Sequence, residues 1–178
     1  NHEIRGFYSA ALPSLLDQPG GKTYGAFSWG DTRFVILDCG EDKPDDQPVY
    51  YGLNDFSAFR QQQYDFLKEE KKSRDFKSAN RRVLVNHIPL WGNDDKYQPS
   101  SELWTPLLKE GSFDIGLSGH THRFRYHPAE DVSNPFPICI GGAPNVSSAT
   151  MMVLSKKGNS LSLRVLNAKG EELGAWSL

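Results

Sequence analysis

No stretch of this chain is apolar over the roughly 20 residues that a membrane-spanning helix requires. Its 178 residues hold only two cysteines and two methionines, and neither acid nor base dominates, with 20 Lys and Arg against 22 Asp and Glu. Each shortage excludes something. Without a long apolar run there is no candidate membrane span, and two cysteines cannot build a disulfide framework. A net charge of -2 offers no basic footprint for nucleic acid or for an anionic membrane surface. Internal repeats, low-complexity tracts and Gly/Ser-rich linkers are also missing, so the sequence reads as one domain or part of one. Cys39 and Cys139 lie in the apolar runs Val35-Ile36-Leu37-Asp38-Cys39 and Pro137-Ile138-Cys139-Ile140, which favours buried thiols over a bridge.

What is present is an α/β pattern. Residues 7–21 are broken by Pro and Gly and read as loop. Thr23 to Trp29, the turn Gly30-Asp31 and Thr32 to Asp38 read as a hairpin. An acidic, Pro-containing stretch from Gly40 to Asn54 follows as a surface loop. Phe56, Phe59, Tyr64 and Leu67 share one face at helical spacing, with Asn54 or Asp55 as the cap. Val83 to Asn86 is a strand stopped by Pro89. Ser101 to Glu110 is a helix with Pro106 inside it, closed by Gly111. Phe113 to Leu117 is a short buried strand. Met151 to Leu154, Ser160 to Leu166 and Glu171 to Leu178 form three antiparallel strands.

Histidines gather at the ends of these strands. His87 follows Val83-Leu84-Val85-Asn86, and Gly119-His120-Thr121-His122 follows Phe113 to Leu117. Asn1-His2-Glu3 opens the chain. Strand ends are where α/β proteins build their sites, and neutral imidazole suits Mn, Fe and Zn. His120 and His122 can diverge towards two neighbouring ions if their loop is tight, with Gly119 allowing a close approach. Single residues also have plainer readings. His87 alone can be a half-buried side chain bonded to backbone, and His127, before a proline, reads as surface. Asp38 and Asp114 serve as caps or solvated charges, or as carboxylates behind the site. Trp91 is a site wall or a loop anchor, and Arg123 is a solvated charge or a phosphate contact.

Asn1-His2-Glu3, Val85-Asn86-His87 with Pro89, and Gly119-His120-Thr121-His122 resemble, in order and spacing, the third, fourth and fifth motifs of the calcineurin-like metallophosphoesterases. Phe27-Ser28-Trp29-Gly30-Asp31, Phe34 to Asp38 and Gln63 to Leu67 are similar to the purple-acid-phosphatase-like branch. The resemblance covers residues 1 to about 145. It implies the C-terminal part of a four-layer α/β/β/α sandwich, a single domain over residues 1–178 that ends in the antiparallel strands of 150–178. It implies a phosphate mono- or diesterase with two divalent or trivalent ions (Mn, Fe or Zn) and a dimetal-activated hydroxide. Asn1, His87 and His120 would hold one ion and His122 the other, while His2 would stand at the leaving-group oxygen. Substrate contacts would come from Trp91 and Arg123, the substrate being a phosphorylated small molecule or another phosphoester. The branch points to a periplasmic or secreted protein.

The family's upstream Asp-bearing motifs do not occur in these 178 residues. With imidazole and amide donors alone, two divalent ions would carry about +4 uncompensated. The expectation is therefore an active parent protein and an inactive chain that binds no ion or one ion weakly, with a partly bare sheet face that favours self-association. Two other readings compete: a non-catalytic interaction domain on the same scaffold, and a single structural Zn site of His87, His120 and His122.

Overall fold

The computed structural model describes residues 22–109 and 113–178. Its first element is the expected hairpin. Strand β1 (Gly25–Trp29) pairs antiparallel with β2 (Thr32–Leu37), Trp29 opposite Thr32. The two-residue turn has Gly30 at φ 61°, the left-handed backbone that a two-residue hairpin turn demands of glycine. Helix α1 (Phe56–Glu70) is capped by Asp55, whose carboxylate accepts the Ala58 N–H. The short helix α2 (Arg74–Ser78), capped by Ser73, leads into β3 (Arg81–Asn86). Helix α3 (Pro99–Lys109) starts at a proline and carries Pro106. The chain then forms β4 (Ile115–Ser118), β5 (Arg125–His127) and β6 (Ile138–Ile140). Strands β7 (Thr150–Lys157), β8 (Ser160–Asn167) and β9 (Glu172–Ser177) close it. The Gly111 helix stop lies outside the described residues.

Six strands make one mixed sheet in the order β1-β2-β3-β4-β6-β5, and the last three make a separate antiparallel sheet, β7-β8-β9. Strands β2, β3, β4 and β6 run parallel; β1 and β5 close the edges antiparallel. Side chains alternate across each strand, so the central sheet has two apolar faces. One carries Val35, Leu37, Leu84 and Ile138 and packs on Leu67 of α1 and Trp104 and Leu108 of α3. The other carries Val83, Ile115 and Cys139 and packs on Leu161, Leu163 and Val165 of β8. Helices, six-stranded sheet and three-stranded sheet are thus three stacked layers, a mixed α/β fold with a C-terminal antiparallel sheet as expected.

Polar latches fix the two sheets in register. The Tyr126 ring of β5 stacks on Trp176 of β9 at 4.0 Å. The Arg81 Nε donates to the Asn159 carbonyl at 3.0 Å, and Lys156 pairs with Asp31 across the sheets. On the helix side, the Arg33–Glu70 ion pair is a two-bonded fork (2.8 and 3.0 Å). Two aromatic side chains are exposed at the β1 edge of this sheet. There Phe27 stacks on Phe34 at 4.9 Å, yet Phe27 is 39% and Trp29 77% exposed.

Cys39 and Cys139 are buried free thiols, and burial pushes each up from 9.0 to about 12. An unfolded chain ionises both near pH 9, whereas the folded chain keeps them neutral until about pH 12. Their stabilising contribution is therefore complete below pH 9 and falls away as pH rises towards 12. Urea midpoints measured from pH 8 to 11 should fall more steeply for the natural chain than for the Cys39→Ala/Cys139→Ala variant; parallel curves would contradict this. In the inter-sheet core, Leu163→Ala should cost about 2–5 kcal/mol by urea unfolding, because that side chain is fully buried.

Candidate functional site

Parallel pairing decides where the histidines go. Strands β3 and β4 lie side by side with Val85 opposite Leu117, so both chains leave the sheet at the same edge. His87 is the first residue past β3, and the ladder gains one more bond when the Gly119 N–H donates to the His87 carbonyl at 3.0 Å. The His87 and His120 rings then meet edge to face, 5.4 Å between centroids and 84° between planes. Two imidazoles separated by 33 residues of sequence become a pair. The buried Asn86 side chain donates to the Ile88 carbonyl and steadies the turn that carries His87.

The second histidine loop is strained. His120 has φ 67° and His122 φ 57°, left-handed values that cost a non-glycine residue about 1–3 kcal/mol and cluster at functional sites. The intervening Thr121 N–H turns back to the Gly119 carbonyl at 2.8 Å. His122 is exposed at the surface of the same loop. Gly119 itself does not supply the close approach expected of it: an added Cβ would meet His87 Nδ1 at 3.6 Å, ordinary contact. The unusual backbone belongs to the two histidines.

A recess of about 330 Å³ opens beside His120. Loop residues 92–95 form one wall, and His120, Thr121, Arg123 and Arg125 form the other. Arg123 lines the recess. Trp91 does not: it is 8% exposed, edge-on to Phe136 at 5.6 Å, and acts as the anchor of its loop in the helix-side core. Among the described residues no Phe, Tyr or Trp lines the recess.

Carboxylates, missing from the expected set, stand beside His120. Asp95 Oδ2 lies 3.2 Å from His120 Nε2. Asp42 is also within electrostatic reach of His120; burial raises its carboxyl, but the Lys43 ammonium outweighs that and holds it below the usual range, with His120 adding to the effect. Asp95 had a weak signal, as it sits eight residues past His87 in the loop that follows the motif. Asp42 had none, because its acidic loop reads as solvated. Asp38 and Asp114 hold backbone: Asp38 accepts the Gly40 N–H at 2.9 Å, and Asp114 accepts the Arg82 N–H at 2.7 Å.

His127 corrects its surface reading. Its side chain is 13% exposed, with Nδ1 2.6 Å from Asp131. Its Nε2 is buried against Gly92 without a hydrogen bond. It is the last residue of β5, paired with Ile138 of β6, and β5 is too short (three residues) to show an alternation in sequence.

Among the described residues no group of three or more His, Cys, Asp or Glu is arranged to hold a metal ion. The donor chemistry nevertheless fits one in part. His120 Nδ1 is buried and makes no hydrogen bond, a bare imidazole nitrogen next to a second imidazole. Asn1 and His2, expected to complete and serve the site, lie outside the described residues.

The calcineurin-like phosphoesterase family model matches residues 1–124. Among solved structures, a purple acid phosphatase, PPD1 from yellow lupin (Lupinus luteus) seeds, is similar over 90% of this chain and 33% of its own, at 15% identity and TM-score 0.55. GAP50 of Plasmodium, described as the anchor in the inner membrane complex, is similar over 87% of this chain and 52% of its own, at 18% identity and TM-score 0.52. The chain thus spans about half the length of one and a third of the other, and at these identities the likeness is one of fold. A search of curated protein sequences finds no match.

Gly92 tests the packing beneath the recess. It has φ 74°, and an added Cβ would come within 2.9 Å of His127 Nε2. Gly92→Ala should lower stability by roughly 1–3 kcal/mol in urea unfolding and move the His127 ring signals in NMR. An unchanged midpoint with unmoved signals would show the loop to be pliable.

Proposed function

The chain belongs to the calcineurin-like phosphoesterase family, and from that premise we propose that the intact parent protein hydrolyses phosphoric esters at the His87–His120 edge, this chain alone being inactive. The observation that carries this reading is the convergence of the two rings at 5.4 Å with His120 and His122 in left-handed backbone. Residues held in such backbone cluster at functional sites. In this reading His87 and His120, with Asn1, hold one ion of a pair, and His122 holds the other. The ions are Mn, Fe or Zn, borderline ions that imidazole accepts. When bound, they supply Lewis acidity and make a water acidic enough to lose its proton near neutral pH.

The chain's own groups do the rest. Arg123, on the recess wall, contacts the anionic oxygens of a phosphorylated small molecule; guanidinium is suited to phosphate because its N–H fork matches two oxygens. His2 stands at the leaving oxygen and gives it a proton. The protein works outside the cytoplasm, as its purple-acid-like resemblance implies, and its exposed Phe27 and Trp29 favour self-association. No helix among the described residues is long and apolar enough to cross a membrane.

A second reading, a non-catalytic interaction domain on this scaffold, has one specific support: the likeness to a Plasmodium protein described as an anchor. Turnover separates the two. Hydrolysis of p-nitrophenyl phosphate by the intact parent protein should require added Mn²⁺, cease in EDTA, and fall about 1,000-fold in kcat/KM in His120→Ala, since several kcal/mol of charge stabilisation depend on the ion. Turnover that survives both EDTA and His120→Ala would refute the proposal. A folded parent protein with no turnover under any metal would favour the interaction domain.

A further inference from the structure

His120 has two ring nitrogens in different surroundings. Nε2 lies 3.2 Å from Asp95 Oδ2. Nδ1 is shut off from solvent and has no hydrogen-bond partner. A neutral imidazole carries one proton. On Nδ1 that proton would be a buried donor with no acceptor, and the lone pair of Nε2 would face a carboxylate. On Nε2 it lies beside the Asp95 carboxylate, 3.2 Å from Nε2, and Nδ1 becomes a bare lone pair beside the His87 ring. The carboxylate charge beside Nε2 and the lack of an acceptor at Nδ1 among the described residues both select the second tautomer.

We propose that Asp95 is the positioning carboxylate of His120: it holds the Nε2 proton and thereby presents Nδ1 to a divalent transition-metal cation. This rests on the reading of His120 as a metal ligand. Carboxylate–histidine–metal arrangements fix ring orientation and raise the basicity of the coordinating nitrogen.

Asp95 is itself held for this task. Its N–H donates to Asn93 Oδ1 at 2.9 Å, and its carbonyl accepts the Gln98 amide at 2.6 Å. Asn93 Nδ2 in turn donates to the Pro89 carbonyl at 2.5 Å. The loop that leaves one ligand, His87, thus returns to orient the other, His120. Asp95 Oδ2 makes no aligned hydrogen bond at present. The 3.2 Å contact is off axis, and a small turn of the ring would bring the N–H onto the carboxylate.

The test reads the tautomer and the metal separately. Long-range ¹H–¹⁵N NMR of the metal-free protein at pH 8, with His120 assigned from the loss of its signals in His120→Gln, should show the Nε2–H form. Asp95→Ala should mix the two tautomers, and Asp95→Asn, whose amide oxygen still accepts, should keep the original one. Zinc affinity by titration calorimetry should weaken about 10–100-fold in Asp95→Ala and recover most of that in Asp95→Asn. An unchanged tautomer and zinc Kd in Asp95→Ala would overturn the proposal. Asp95→Asn as weak as Asp95→Ala would also overturn it, by making Asp95 a direct ligand. If the natural protein bound no zinc, the metalloenzyme reading would fail, and the tautomer measurement alone would still decide the role of Asp95.

Discussion

Everything at the site depends on two parallel strands lying next to each other. Parallel neighbours end at the same edge of a sheet, so loops from β3 and β4 are forced together whatever their sequences. The backbone bond from Gly119 to His87 carries the pairing beyond the strands themselves. It fixes the distance between the two loops before any side chain is considered. The imidazole contact is a consequence of that register, and a one-residue slip would turn the last strand residues to the opposite face. Register here is well protected, because both faces of the sheet are buried.

The helix layer extends the same control to the site's outer loops. Gln63, fully buried on α1, grips the end of β2 from both sides: its Oε1 accepts the Asp38 N–H at 2.8 Å, and its Nε2 donates to the Asp38 carbonyl at 2.6 Å. One turn earlier, Arg60 reaches the carbonyls of Cys39 and Glu41, each at 3.0 Å. A buried guanidinium needs acceptors on its N–H groups, and loop carbonyls past a strand end need donors. Each satisfies the other. The acidic loop bearing Asp42 is thereby tied to a helix that Trp104 locks in place, its indole N–H donating to the Arg60 carbonyl at 3.1 Å. Rigidity around the histidines comes from these polar clamps as much as from apolar packing.

Local signals were legible in sequence, and signals that depend on tertiary partners were not. Asp55 announces the start of α1 because capping is a property of four consecutive residues. The Gly30-Asp31 hairpin and the three C-terminal strands follow from turn chemistry and alternation in the same way. His87 and His120 were legible as a pair through motif order alone. Strand β5 was not, since three residues carry no period. The burial of His127 follows from β5 pairing with β6, so it was lost with the strand. Trp91 was ambiguous for a similar reason: an aromatic in a loop can face ligand or core, and Phe136, 45 residues away, decides it. Asp95 belongs to this class too. Its distance from His120 depends on how the loop after His87 folds back, which no spacing rule encodes.

The recess also sorts its charges. An all-imidazole donor set would leave bound divalent ions uncompensated, which is why the histidine motifs taken alone describe an electrostatically poor site. Asp95 in contact with His120, and Asp42 nearby, put negative charge on the side of the ring pair. Arg123 and Arg125 put positive charge on the recess wall. A cation held at the imidazoles and an anion held at the guanidiniums would each meet the opposite sign, and at 4 Å such contacts grow from about 1 kcal/mol in water to about 4 where the effective dielectric falls to about 20. The strain stored in His120 and His122 fits the same scheme, because a left-handed backbone turns successive side chains apart and lets one short loop serve two positions.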